Sequence, residues 1–203
     1  IGWREFVWGL YWLWGPEYVA RNDLGAVRPL PPVFEGRAST EMRCVDVTLR
    51  TLHDHAWVHH IQRLMVLGNL ALLAGVDPTA MTDWMWAGFV DGAEWVMVPN
   101  VVGMALHADG GQMATKPYAA GGAYIDKMSD YCRGCRFDRT KRTGPDACPF
   151  TTLYWDFIAR HADRFGRNPR MARQVAAARN LADLVSVRER AVEVLGRLDA
   201  GLL

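Results

Sequence analysis

The chain has 203 residues, half of them hydrophobic, which is enough to bury a substantial core in one or two domains and too apolar for a disordered segment. The formal net charge of +1 neither favours nor excludes nucleic acid, and no run of eighteen uncharged apolar residues offers a membrane span. Nine tryptophans are far above ordinary usage, and such rings fill cores, stack on planar ligands or relay electrons.

Taken in order, Phe6, Val7, Leu10, Tyr11 and Leu13 predict a buried helix from Trp3 to Trp14, stopped by Gly15 and Pro16. Residues 21–39 are rich in Pro, Gly and charge and read as a loop. Residues 40–74 carry apolar faces at Leu49, Leu52, Ile61, Leu64, Met65 and Leu72, which predicts one or two helices ended by Gly75. Asp77 and Pro78 form a cap and first turn for a helix reaching Trp86 or Val90. Pro99, Gly103, Gly110, Gly111 and Pro117 read as breakers, so a long structured loop is expected there. A short helix is expected over 123–131, then a loop rich in Gly, Arg and Cys to Pro149, then amphipathic helices over 152–165 and 169–202. No alternating strand pattern or internal repeat is present, so the expected class is all-α. No signal peptide is evident, and an opening at Ile1 without an initiator Met makes a piece of a longer polypeptide the expectation.

Cys132 and Cys135 are separated by two residues, and Cys148 is followed directly by Pro149. A two-residue gap lets both thiolates reach one metal centre, and Cys-Pro is a recurring end to iron–sulfur binding runs. Cys44 is the one other thiol available as a fourth ligand. The set fits a [4Fe-4S] cluster or a zinc site, and its single, pair, single spacing favours the cluster; unligated thiols or disulfides stay open on spacing alone. Between residues 133 and 179, eleven Arg and Lys stand against four Asp, which reads as a basic patch.

Several segments together resemble one family. They are Gly2-Trp3-Arg4-Glu5-Phe6, His59-His60-Ile61-Gln62-Arg63-Leu64-Met65, Glu94-Trp95 with Pro99-Asn100, and Thr115-Lys116-Pro117-Tyr118. Ser129-Asp130-Tyr131-Cys132, Cys148-Pro149-Phe150 and Tyr154-Trp155-Asp156-Phe157 complete the pattern. The chain is similar over nearly its whole length to the iron–sulfur bacterial cryptochromes and photolyases. The resemblance implies that residues 1–203 are the C-terminal part of the helical FAD-binding catalytic domain of the photolyase/cryptochrome fold. The N-terminal α/β antenna domain, with its possible antenna chromophore, would be absent from these residues.

By the same resemblance, Cys44, Cys132, Cys135 and Cys148 hold a [4Fe-4S] cluster. Arg63 lies beside the isoalloxazine ring of FAD and pairs with Asp91, and His59 and His60 sit at the lesion, where one protonates the damaged base. Histidine is the side chain best suited to move a proton near neutral pH. Trp84 and Tyr124 match an electron relay, from which the chain departs by having Gly36 and Met85 where relatives have aromatics; Trp86 or Trp95 are substitutes. Arg133, Arg136, Arg139, Lys141 and Arg142 are the expected contacts to DNA phosphates. The implied function is light-driven repair of UV-damaged DNA, (6-4) photoproducts above all, by a cytoplasmic monomer with no membrane association. The alternatives are a blue-light photoreceptor with the same cofactors and no repair, and a light-independent iron–sulfur or zinc module that binds nucleic acid.

Overall fold

A computed structural model describes all of residues 1–203, and its regular secondary structure is helical, with two isolated bridges, Arg28 to Val76 and Asp138 to Ala147. The all-α expectation holds. No helix is long and apolar enough to cross a membrane. The chain divides into two compact units, Ile1–Leu30 with Val47–Tyr118 and Pro31–Asp46 with Ala119–Leu203.

In the first unit, α1 (Gly2–Val19) continues past its expected stop. Gly15 takes φ 49° and ψ −138°, which kinks the helix, and Pro16 then occupies a first-turn position where its missing N–H costs nothing. The resumed turn buries Tyr18 completely. α2 (Arg43–His55) gives its first turn to the second unit and the remainder to the first.

α3 (His60–Gln62), a π-helical turn (Arg63–Gly68) and α4 (Asn69–Ala74) follow as one run, closed by Gly75 at φ 77°. Every residue from Leu64 to Ala74 is buried, as expected of a helix that is apolar on all sides. α5 (Pro78–Gly88) begins as the sequence predicts, with Asp77 Oδ1 accepting from the Ala80 N–H at 2.9 Å.

The loop expected around Pro99 and Gly103 is instead helical: α6 (Glu94–Pro99) runs into a second π turn (Asn100–Ala105). Gly103 serves packing, because a Cβ there would lie 2.4 Å from the Tyr18 hydroxyl and 2.7 Å from Met113 Cβ. Tyr18 donates to Asp109 Oδ2 at 2.8 Å, and the Asp109 carboxylate also accepts the N–H groups of Gly111 and Met113, which shapes the loop beyond the π turn.

The second unit contains α7 (Gly122–Met128), α8 (Pro149–Arg160), α9 (Ala162–Phe165), α10 (Ala172–Arg179) and α11 (Leu184–Asp199). Phe150, Leu153, Phe157 and Ile158 of α8 recur at helical spacing and are buried with Val187, Ala191, Val194 and Leu198 of α11, which packs along it. Two expected boundaries move. α7 ends before Tyr131, because Ser129 is extended and its hydroxyl donates to the Ile125 carbonyl at 2.7 Å. α8 starts three residues early, with Pro149 in its first turn, and the last helical stretch, for which the sequence leaves room for a break, has it between Arg179 and Leu184.

Candidate functional site

The two π turns of the first unit border one cavity of about 390 Å³, within the range of small-molecule sites. They approach closely: a Cβ on Gly68 would lie 2.9 Å from Ala105 Cβ. Leu64, Met85, Val101, Met104 and Ala105 give the cavity apolar walls, while His60, Arg63, Asp91 and Asn100 give it polar groups.

Arg63 is fixed on all sides. Its Nε donates to the Val58 carbonyl at 2.8 Å, and its two Nη atoms donate to Asp91 Oδ1 at 2.8 Å and Oδ2 at 2.9 Å. The guanidinium lies 4.2 Å from the centre of the Phe89 ring, a cation–π distance. Its hydrogen bonds hold the Asp91 carboxyl below the usual range, aided by a bond from the Trp57 side chain. Burial lowers the pKa of His60, and the nearby Arg63 and His59 lower it further, so its imidazole is neutral at neutral pH.

The structure brings His60, Arg63 and Asp91 together at one cavity and places His59 at the start of α3. His59 caps α3: its Nδ1 accepts the Ile61 N–H at 3.2 Å, and its own backbone N–H donates to Gln62 Oε1 at 3.0 Å. Trp84 packs edge-on against Phe89, 6.4 Å between centroids, and Met85 lines the cavity. Tyr124 lies on α7 in the second unit, and Trp84 lies in the first. Phe89 and Trp57, which seat Arg63 and Asp91, escaped the sequence reading; a ring two residues before Asp91 was the signal available.

The four cysteines are all free thiols and line one narrow cavity of the second unit, with Met42, Ile125 and Phe137 among its apolar walls. Cys148 precedes α8, and the N–H groups of Phe150 and Thr151 and the Thr151 hydroxyl reach its sulfur, offsetting part of the rise that burial imposes on its pKa. Burial and neighbouring thiols push the Cys44 thiol up, and Cys132 is pushed up to about 11 by burial, Cys148 and Asp126. Gly122 is placed against the sulfur, since a Cβ there would lie 2.9 Å from Cys148 Sγ.

No group of three or more His, Cys, Asp or Glu converges as a single metal ion requires. A zinc ion would need its sulfurs about 2.3 Å from one point. Four thiols around one cavity are a donor set of the kind that iron–sulfur clusters use, and thiolates raised in pKa by burial become favourable once positive charge replaces their protons.

The loop carrying Cys148 is closed by the Asp138 N–H donating to the Asp146 carbonyl at 2.8 Å and the Cys148 N–H donating to the Asp138 carbonyl at 3.1 Å. It is strapped to α11, where the buried Arg190 donates to the Pro145 carbonyl at 3.2 Å. The basic residues expected on DNA lie around this loop, and four are ion-paired: Arg136 with Glu41, Arg139 with Asp126, Lys141 with Asp146 and Arg142 with Asp183. Arg133 is exposed. Glu41, Asp126 and Asp183 all lie outside the stretch 133–179, so counting charge within that stretch overstated its positive field.

No family model matches the chain. Over 201 residues, 98% of the chain, it is 47% identical to a (6-4) photolyase of Agrobacterium fabrum. The chain belongs to the bacterial photolyase/cryptochrome family. It spans 39% of the length of that photolyase. It is also 34% identical over 101 residues to an uncharacterised protein of Acanthamoeba polyphaga mimivirus, a match covering 50% of this chain and 75% of the viral protein.

Proposed function

We propose that the chain forms part of a light-driven, FAD-dependent enzyme that repairs (6-4) photoproducts in DNA and carries a [4Fe-4S] cluster. The observation that carries the reading is the 47% identity to a (6-4) photolyase across 98% of the chain. The cavity residues are consistent with it.

Arg63 and Asp91 would hold the flavin, and Leu64, Met85, Val101, Met104 and Ala105 would keep water from it. Bound, reduced FAD supplies on blue-light excitation the electron that splits a lesion flipped out of the duplex. The Arg63 guanidinium, locked by Asp91 and the Val58 carbonyl, presents fixed positive charge to an anionic ring without needing to reorganise. A hydroxyl must pass between the two pyrimidines of the lesion, and proton movement there falls to His60, whose neutral imidazole can take a proton and, as the imidazolium, return it. His59 would support it by fixing the start of α3. Trp84 and Tyr124 would relay electrons to the flavin. Cys44, Cys132, Cys135 and Cys148 would hold the cluster, which ties the start of α2 to the loop ending at Cys148. Arg133, Arg136, Arg139, Lys141 and Arg142 would lie along DNA phosphates, the last four after exchanging their present acidic partners.

The test is anaerobic purification of the native polypeptide, its absorption spectrum, and blue-light repair of DNA bearing a defined (6-4) lesion, with His60→Asn alongside. Repair by the native protein and its loss in His60→Asn is the expected result. Flavin and cluster bands without repair would make the protein a photoreceptor, and absence of flavin would overturn the reading.

A further inference from the structure

Each positive charge of the loop 136–142 is balanced by an acid, yet the basic stretch continues beyond it. Residues 161–180 hold five arginines against one aspartate, a charge of +4 in a chain whose total is +1. The one aspartate, Asp163, is taken by Arg179 at 3.0 Å. The turn between α9 and α10 is anchored from below by Phe165, Met171 and Val175, all buried. It is also fixed along its length: Asn168 Oδ1 accepts the Arg170 N–H at 3.0 Å, and the Asn168 carbonyl accepts the Met171 N–H at 2.9 Å.

Between these anchors Arg164, Arg167, Arg170 and Arg173 recur every third residue, and all are exposed. Arg167, Arg170 and Arg173 are in no ion pair. A rigid turn that gathers like charges raises its own energy until anions join it, and it needs no rearrangement to receive them. Guanidinium groups match phosphate oxygens bidentately, and a row of them follows a chain of phosphates without reading bases.

We infer that the α9–α10 turn, through Arg167, Arg170 and Arg173, is the surface that grips the phosphate backbone of duplex DNA, in preference to the ion-paired loop 136–142. The inference rests on the reading of the protein as a DNA-repair enzyme, and moves the main phosphate contact from that loop to this turn.

The experiment measures duplex DNA affinity of the native polypeptide across a salt series. It compares the triple variant Arg167→Gln, Arg170→Gln, Arg173→Gln with the double variant Arg136→Gln, Arg139→Gln. Three lost phosphate contacts should flatten the slope of log affinity against log salt by roughly two to three, equally for damaged and undamaged DNA. The lysine triple at the same positions should keep most of the slope, which separates charge from misfolding. The double variant should change it less. An unchanged slope in the triple glutamine variant, or a larger change in the double variant, overturns the inference while lesion repair by the native protein leaves the functional reading intact. Loss of binding to anionic lipid vesicles with DNA binding unaffected also overturns it, in favour of a membrane surface. No DNA binding by the native protein at any salt would sink both.

Discussion

His161 lies between two aromatic rings of the second unit, 4.8 Å from the centroid of Phe157 and 5.5 Å from that of Phe165. Burial, with a smaller push from the Arg160 charge, lowers its pKa from about 6.5 to about 4. The fold therefore favours the neutral ring. Between those two values the unfolded chain binds more protons than the folded one, so stability falls as pH drops through that window. At pH 4.5 the full shift corresponds to about 2.5 kcal/mol, and the partial exposure of the ring reduces this to about 1.3 kcal/mol. His161→Phe keeps the aromatic stack and removes the titration. Urea unfolding of parent and variant at pH 7 and pH 4.5 should show the variant gaining about 1.3 kcal/mol on the parent as the pH falls. A difference between the two proteins that is the same at both pH values would refute the reasoning.

Gly103→Ala forces a methyl into the Tyr18 hydroxyl and Met113, and should cost about 1–3 kcal/mol in urea unfolding. Arg63→Lys keeps the charge but loses the two-pronged bond to Asp91, so flavin retained per chain after purification, read from flavin absorbance, should fall several-fold, to roughly a tenth. Arg190→Gln shortens the strap on the Pro145 carbonyl and should speed iron loss to a chelator by roughly tenfold, with helical content unchanged by circular dichroism.

Sequence periodicity and capping made most of the helical frame legible, because Asp77, Pro78 and Gly75 act on their own neighbours. The pocket triad was legible for a related reason: His60 and Arg63 are one helical turn apart, and Asp91 followed from the resemblance. What escaped depended on partners distant in sequence. Gly103 reads as a breaker until Tyr18, from another helix, is found against it. The loop 133–142 reads as a free cationic surface until Glu41, Asp126 and Asp183 are brought to it. The two neighbouring histidines read as a matched pair, yet one backbone position decides that His59 caps the helix while His60 lines the cavity.

The π turns carry a consequence for how the chain tolerates change. An α-helix advances about 100° per residue, and a π turn inserts length without a matching rotation of the faces on either side. In the run from His60 to Ala74, His60 before the turn and Arg63 and Leu64 at its start line the cavity, and Asn69–Ala74 after it are buried. Removing one residue of Arg63–Gly68 would let the turn close into regular α-helix with His60 and Asn69–Ala74 near their present phase, whereas the same deletion in a regular α-helix would swing one side against the other by about 100°. The turn is thus a place where the helix absorbs a change in length, so a one-residue deletion within it would disturb the flanking faces less than one within Asn69–Ala74.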